Sequence, residues 1–380
     1  MKFQRKLPAP SNSGFASVTK RLINGQKLFF DARYIRVDHH DGISRYSAGI
    51  ASALFETHQI VAIVNDLRQL EHLPTGIEYV KLNDPTDGIA ELRIARKLNR
   101  LGAKLVYSPM QTMGSWGRRF KLMLTLHDLI YYSHKTPPPS FSWPIKLGWR
   151  LFHLTYLPQR FVLNRADAVA TVSRTTKRLM QAKRLTSRPI EVVYNAGSLD
   201  SVKRAKSLGP SKSLVYMGSF MGYKNVETLV SAMAQLPGYE LRLLSKITDA
   251  RREELRILAG SAANRVVFLG GVSDAQYQSE LDNAFALVSA SLDEGFGIPV
   301  VEAMERATPV VISDIEIFKE IGGDAAKYFD AKDIKQLVRA IESLESKAEY
   351  SRASAASLKR ANDFSWKQSA AALVAALEKL

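Results

Sequence analysis

The stretch EGFGIPVVEAMERATPVV, Glu294 to Val311, sets two glutamates eight residues apart around Gly-Phe-Gly-Ile-Pro. The apolar run AFALVSASL ends immediately before it, so a strand passes through a glycine loop into a helix. Pro299 suits the first turn of that helix, where its missing N–H costs nothing. Gly295 and Gly297 permit close approach of the backbone, and the exposed N–H groups of a helix start favour an anion such as a diphosphate. Carboxylates instead accept hydrogen bonds from hydroxyls and repel phosphate. Two readings of Glu294 and Glu302 follow: both hold one polyhydroxylated ligand, or Glu302 complements the helix dipole and Glu294 is a solvated loop acid.

Outward from this stretch, short apolar runs alternate with helical ones. KLFFDAR, IVAIV, IEYV, KLVYS, KLMLTL, AVATVS and IEVVY read as strands in the first half, with a helix from Gly42 through Ala53 and another in ELRIARKLNRL. The polar, basic stretch Asp200 to Ser213 then interrupts the pattern. Beyond it SLVYMGS, YELRLLS, RVVFLG, AFALVSA and PVVIS read as strands, with helices over 224–235, 249–260, 273–283 and 299–306 and further helices from about Lys332 to the end. Such alternation implies parallel sheets, with ligands beyond the carboxyl ends of the strands. Two α/β halves joined once imply a cleft between them.

The expected organisation is a basic flexible tail over 1–26, a first Rossmann-like domain over 27–200, a linker over 201–212, a second such domain over 213–362 and a terminal helix over 363–380 returning to the first domain. A chain of 380 residues, 46% hydrophobic, is too long for one ordinary core. No run of about 18 apolar residues offers a membrane span. The absence of cysteine excludes disulfides and Cys-ligated zinc or iron–sulfur sites, and fits a cytoplasmic location.

The net charge is +16, and all of it lies in residues 1–200, which hold 30 of the 53 basic and 14 of the 37 acidic residues. An anionic partner met by one domain explains such an asymmetry: a membrane surface, a phosphorylated acceptor or nucleic acid. A merely solvated basic face is the plain alternative. PPPSFSWPIKLGWRLFHLTYLPQR, residues 137–160, mixes aromatics and leucines with Lys146, Arg150 and Arg160 and contains no acid; Arg118, Arg119 and Lys121 lie nearby. A basic amphipathic helix there would lie in a membrane interface with Trp143 and Trp149 sinking in, or its aromatics pack against the sheet and its cations are solvated.

EGFGIPVVEAM, followed by TPVVISD and GDAAKYF, resembles the E-x7-E signature of retaining glycosyltransferases of family 4, which have the GT-B fold of two Rossmann-like domains with parallel sheets facing a central cleft. YMGSFMGYKNVETLVSA resembles the family's phosphate loop, VVFLGGVSDAQY its nucleobase loop, LTLHDLIYYSH its histidine segment and HHDGISRYSAGIASAL its glycine loop. TVSRTTKRLM, VVYNAG and NDFSWKQSA follow in family order, so the resemblance spans about residues 27 to 375.

The resemblance implies a metal-independent, retaining hexosyltransferase, mannosyl-type, using a GDP- or UDP-linked sugar as co-substrate and no cofactor. Its acceptor is expected to be lipid-linked or a polysaccharide in cell-envelope glycan synthesis, at the inner face of the membrane. A non-catalytic basic scaffold binding nucleic acid or anionic surfaces is the alternative, though no nucleic-acid signature supports it. Glu302 would hold the ribose and Glu294 the transferred sugar, with Gly295, Phe296, Gly297 and Ile298 near sugar and phosphate. Lys224 would bind the diphosphate, where a fixed ammonium stabilises the departing charge; Gly218, Ser219 and Val272 complete the second-domain donor set. His127 would lie near the sugar, and Gly42 and Ile43 near the donor phosphates and acceptor. Without the resemblance, Lys224 is a polar helix start, His127 a capping or packing residue and Gly42 a helix start. Two carboxylates also suit a hydrolase, but this spacing does not establish the separation that mechanism needs. Ser219 and Tyr223 stand where many relatives carry an arginine, Asp41 and Ser44 where the glycine loop has further glycines, and Ala307 where glycine is common.

Overall fold

A computed structural model describes residues 4–5, 20–38, 41–137, 142–199, 202, 205–207, 209 and 211–380. The chain divides into two compact units, Met1–Ala196 with Trp366–Leu380, and Gly197–Ser365.

Among the described residues the first unit carries eight strands: β1 (Gln4–Arg5), β2 (Leu28–Asp31), β3 (Ile60–Val64), β4 (Glu78–Lys81), β5 (Leu105–Ser108), β6 (Lys121–Leu126), β7 (Ala168–Thr171) and β8 (Ile190–Val192). They lie in the order β1-β4-β3-β2-β5-β6-β7-β8, all parallel except the short edge pair β1–β4. Every residue of β2, β3, β5 and β7 is buried, the signature of strands packed on both faces. The second unit carries β9 (Ser213–Tyr216), β10 (Glu240–Leu243), β11 (Val266–Phe268), β12 (Ala286–Ser289), β13 (Val310–Ser313) and β14 (Lys327–Phe329), parallel throughout in the order β11-β10-β9-β12-β13-β14. This is the doubly wound order whose direction of growth reverses once, here between β9 and β12, and ligands bind in such folds beyond the strand ends at that reversal. In the first unit the reversal falls between β2 and β5.

Two boundaries differ from the sequence expectation. The described part of the basic tail belongs to the fold from Lys20 onward: Arg21 N–H donates to Thr57 O at 2.9 Å, Gln59 N–H returns to Arg21 O at 2.8 Å, and Ile23 is 1% exposed. Asn24 and Gly25, at φ 49° and 71°, turn the chain between the paired Ile23 and Gln26, the left-handed geometry that Asn-Gly adopts readily. Gln4–Arg5 pairs with the edge of the sheet; residues 1–3 and 6–19 lie outside the described residues. The crossing between units falls at Ala196–Gly197, ahead of the expected 201–212 linker. Described residues of that linker are fastened to the second unit instead: Val202 N–H donates to Glu305 O, and Lys206 Nζ donates to Leu281 O, Asp282 O and Thr308 Oγ1 at 2.7–2.9 Å. Lys206 thereby caps the C-terminal end of the Asp274–Asn283 helix, adding a cation to carbonyls of its last turn.

The terminal helix Trp366–Leu377 lies in the first unit against the Gly42–Thr57 helix. Trp366 meets the Tyr46 ring edge-on at 6.1 Å, and a Cβ on Gly49 would stand 2.3 Å from the indole Cε2. Asn24 Nδ2 donates to Glu378 O, and Lys379 pairs with Glu191, so the C-terminal end of the helix is tied to the same unit. Gly49→Ala is expected to lower the stability of this unit by about 2 kcal/mol through overpacking, read as an earlier denaturant midpoint; an unchanged midpoint would show that the helices part without cost.

Candidate active site

In the second unit the loops after β9 and β12 flank the reversal. Tyr216, the last residue of β9, is buried and donates its hydroxyl to Ser219 O at 2.7 Å, while Gly218 N–H donates to Ser245 Oγ at 3.1 Å. The loop passes through a short turn, Gly222–Lys224, into Asn225, which is left-handed at φ 51° and starts the Val226–Ala232 helix. Asn225 tolerates that backbone because its Nδ2 donates to Ala290 O at 3.1 Å and Ala331 O at 2.7 Å. Leu292 N–H donates to Tyr223 O at 2.7 Å, joining the two loops.

The consequence is a direct ion pair: Lys224 Nζ lies 2.5 Å from Glu294 Oε1, which also accepts from Ser291 Oγ at 2.9 Å. Lys224 and Glu294 are 16% and 12% exposed, so the solvated-acid reading of Glu294 does not hold. Gly297 has φ 95°, and a Cβ there would stand 2.8 Å from the Phe318 ring. Phe296 is buried, edge-on to Phe364 at 5.6 Å. The helix Ile298–Glu305 carries Pro299 in its first turn and Glu302 buried at 2% exposure. Ala307 ends that helix at φ 54°, the left-handed position that glycine fills more readily, with its N–H on Met304 O. Gly271, at φ 110°, lies under the Lys246 side chain, with Val272 beside it.

In the first unit His127 follows β6. Its Nε2 lies 2.7 Å from Pro109 O, and a carbonyl only accepts, so Nε2 carries a proton and, in the neutral ring, Nδ1 keeps a lone pair. The ring is edge-on to Tyr46 at 5.0 Å. Burial pushes the His127 pKa down, against smaller opposing effects of the Pro109 carbonyl and Asp41. Gly42 opens its helix behind Asp41, whose carboxylate accepts from Ser44 N–H at 2.9 Å and pairs with Arg36, so this acid caps the helix where a glycine is usual; Ile43 follows in the first turn. His39 and His40 lie outside the described residues.

Polar groups unforeseen in the sequence underlie this end of the sheet. Arg33 is buried between Asp31 and Glu91, with Nε 2.7 Å from Asp31 and Nη1 2.6 Å from Glu91. Ser108 Oγ donates to Asp31 at 3.0 Å across the β2–β5 reversal, and the Tyr46 and Tyr107 hydroxyls meet at 2.6 Å, with Thr125 donating to Tyr107. Ser291 and Asn225 were likewise missed; in sequence each is one polar residue in a loop.

The basic candidates separate. Arg118 is tied to Asp167 at 2.7 Å and to the carbonyls of Phe120 and Arg165, so it is a structural clamp, whereas Arg119 and Lys121 are exposed. The Trp143–Phe152 helix has no buried residue: Trp143 is 75% exposed and Arg150 exposed, while Lys146 and Trp149 are half-buried. Trp149 packs edge-on to Tyr131 at 5.1 Å. Residues 138–141 lie outside the described residues. Among the described residues there is no group of three His, Cys, Asp or Glu able to hold a metal ion.

Residues 40–200 match the family model described as Glycosyltransferase Family 4, and residues 201–360 the model described as Glycosyl transferases group 1. Together the two matches span residues 40–360, a family 4-like first half and a group 1-like second half, and the paired parallel sheets are those of the GT-B fold. The chain is similar to the O-antigen chain mannosyltransferase RfbU of Salmonella typhimurium, 29% identical over 58% of this chain and 60% of that protein; further relatives at 24–32% identity are also mannosyltransferases. Among solved structures, sucrose-phosphate synthase from Thermosynechococcus elongatus has a TM-score of 0.72 at 18% identity, covering 93% of this chain and 98% of its own. Anabaena HepE, solved with UDP and glucose, has a TM-score of 0.68 at 19% identity, covering 93% and 100%. At these identities the structures establish the fold.

Because the fold favours neutral His127, its titration in labelled protein is expected to centre below about 6.5. The resulting stability is complete above that pH and is lost as pH falls toward the folded pKa, less so in His127→Gln. A midpoint at or above 6.5 would show a solvated imidazole.

Proposed function

We propose that the chain is a retaining hexosyltransferase, mannosyl-type, transferring a sugar from a GDP- or UDP-linked donor to a lipid-linked or polysaccharide acceptor in cell-envelope glycan synthesis. The observation that carries this reading is the Lys224–Glu294 pair at the β9–β12 reversal, in a chain whose relatives are mannosyltransferases. The second unit binds the donor and the first receives the acceptor. Lys224 takes the diphosphate, aided by backbone N–H groups near Gly218 and Ser219; Glu302 takes the ribose; Glu294 takes hydroxyls of the transferred sugar. Phe296, Gly297 and Ile298 line the sugar and phosphate, and Val272 the base. Within the first unit, neutral His127 keeps Nδ1 as a hydrogen-bond acceptor. The anomeric C–O bond to phosphate breaks, the acceptor oxygen bonds to the same face of that carbon, and the acceptor proton passes to the departing phosphate oxygen. Lys224 stabilises the charge that develops on that oxygen.

Thermal stabilisation by UDP, GDP, dTDP and ATP, with chelator present, tests this reading. One nucleoside diphosphate at about 100 times its Kd is expected to add roughly 2.7 kcal/mol, and Glu302→Ala to abolish the gain. No gain with any nucleotide would overturn the donor site and leave a basic GT-B scaffold.

The same reading sets the first unit against the inner face of the cell membrane. Residues 129–166 contain no acid, and within them Trp143, Ile145, Leu151, Leu154, Leu157 and Phe161 are more than half exposed beside Lys146, Arg150, Arg160 and Arg165. Apolar side chains flanked by cations suit an anionic bilayer surface. Among the described residues no helix is long and apolar enough to cross a membrane. The protein is expected to sediment with vesicles containing phosphatidylglycerol, and Trp143→Glu with Leu151→Glu to weaken this at least about tenfold through the lost apolar insertion. Equal sedimentation of wild type and variant would remove this surface from the proposal.

A further inference from the structure

Lys224 and Glu294 are given opposite ends of one ligand by the proposed function, on which this inference rests, yet in the structure they pair with each other at 2.5 Å. A ligand reaching Lys224 therefore competes with Glu294. The carboxylate is also held in place. Ser291 Oγ donates to Oε1 at 2.9 Å, and Ser291 is itself fully buried, its hydroxyl 3.2 Å from Ser289 Oγ and its carbonyl accepting from Ser313 Oγ at 2.5 Å. These contacts lie at the ends of β12 and β13 and tether Glu294 beside Lys224 rather than leaving it to swing into water.

Consider two ligands that differ only in the sugar. A nucleotide-sugar replaces both halves of the pair: its phosphates meet the ammonium, and its sugar hydroxyls donate to the carboxylate, which has only acceptors to offer. A nucleoside diphosphate supplies phosphate alone. It leaves a tethered, partly buried carboxylate next to the added negative charge, with only Ser291 donating to it, and so poorly compensated a charge in such a place is costly.

We propose that the Lys224–Glu294 pair makes this site select the intact donor over the sugarless diphosphate, so that Glu294 promotes release of the nucleotide product as well as holding the sugar. Ser291 is the positioning residue for this discrimination: it fixes Oε1 against the ammonium and leaves Oε2 for the sugar.

Calorimetric titration of the full chain with GDP, GDP-mannose, UDP and UDP-glucose tests the proposal. Glu294→Gln keeps the side-chain shape and removes the charge. It is expected to bind the nucleoside diphosphate about tenfold more tightly than wild type, the scale of removing one like charge from a partly buried contact, while binding the nucleotide-sugar no more tightly. Ser291→Ala, which frees the carboxylate without neutralising it, should move diphosphate affinity in the same direction by less. It also carries the test if Glu294→Gln does not fold. Unchanged or weaker diphosphate binding in these variants would overturn the inference, since Glu294 would then only orient Lys224. Wild type that binds neither diphosphate nor nucleotide-sugar would overturn the proposed function with it; wild type that binds both, with no gain in the variants, overturns this inference alone.

Discussion

The geometry of the candidate site in the second unit depends on one residue that would not usually attract notice, Asn225. A left-handed backbone at a non-glycine position is strained, and it persists here because the side-chain amide donates to Ala290 O, just past β12, and Ala331 O, just past β14. The loop after β9 is thereby pinned across the carboxyl edge of the sheet. Leu292 N–H on Tyr223 O adds a second tie in the same place. Lys224 precedes Asn225 and Glu294 follows Leu292 by two residues, so two backbone-level constraints bring an ammonium and a carboxylate together. The pair is a result of how the sheet ends are joined, and the long, flexible lysine chain contributes little to choosing that position.

The first unit solves a different problem at its own reversal. Arg33 between Asp31 and Glu91 withdraws three charges from water, which is costly unless the geometry satisfies them. Here it does: both carboxylates meet the guanidinium, Ser108 donates to Asp31, Gly114 N–H donates to Glu91, and Asn83 bridges to Glu91. Such a cluster is a poor source of net stability and a good source of specificity, because a shift of one strand would leave a buried charge unpaired. It joins β2, β5 and the Gly88–Leu92 helix. Beside it, the hydroxyl chain Tyr46–Tyr107–Thr125 supports the ring against which His127 packs. Burial in this surrounding disfavours the charged form of the histidine, and the ring is oriented by contacts that lie in the core.

Much of the architecture was legible because it rests on periodicity. Apolar runs such as IVAIV and KLMLTL became buried parallel strands at nearly the same residues, and the helix beginning at Gly42 ran on to Thr57. What failed to show in the sequence depends on contacts between distant positions. The Asn24-Gly25 turn carried a local signal, the Asn-Gly dipeptide, that the surrounding basic composition obscured. Composition alone made 201–212 a linker, whereas Lys206 is fixed by helix-end carbonyls 75 and 76 residues away. Ser291 and Asn225 are ordinary loop residues by type, and only the sheet topology makes them determinants.

The charge distribution shows why a count of residues does not amount to a surface. Arg118 and Arg119 are identical in sequence terms, yet the first is closed off by Asp167 and two carbonyls while the second faces solvent. Trp143 and Trp149 divide in the same way: six residues apart on one helix, they point in different directions, so one is three-quarters exposed while the other packs against Tyr131 and His153. Aromatic contact therefore fastens one side of this helix to the body of the unit and turns its remaining apolar side chains outward. An acid-free basic segment whose helix is anchored on one side and apolar on the other has its charge and its hydrophobicity on the same exposed surface. That coincidence, rather than the total of +16, is what the interfacial reading of this segment rests on.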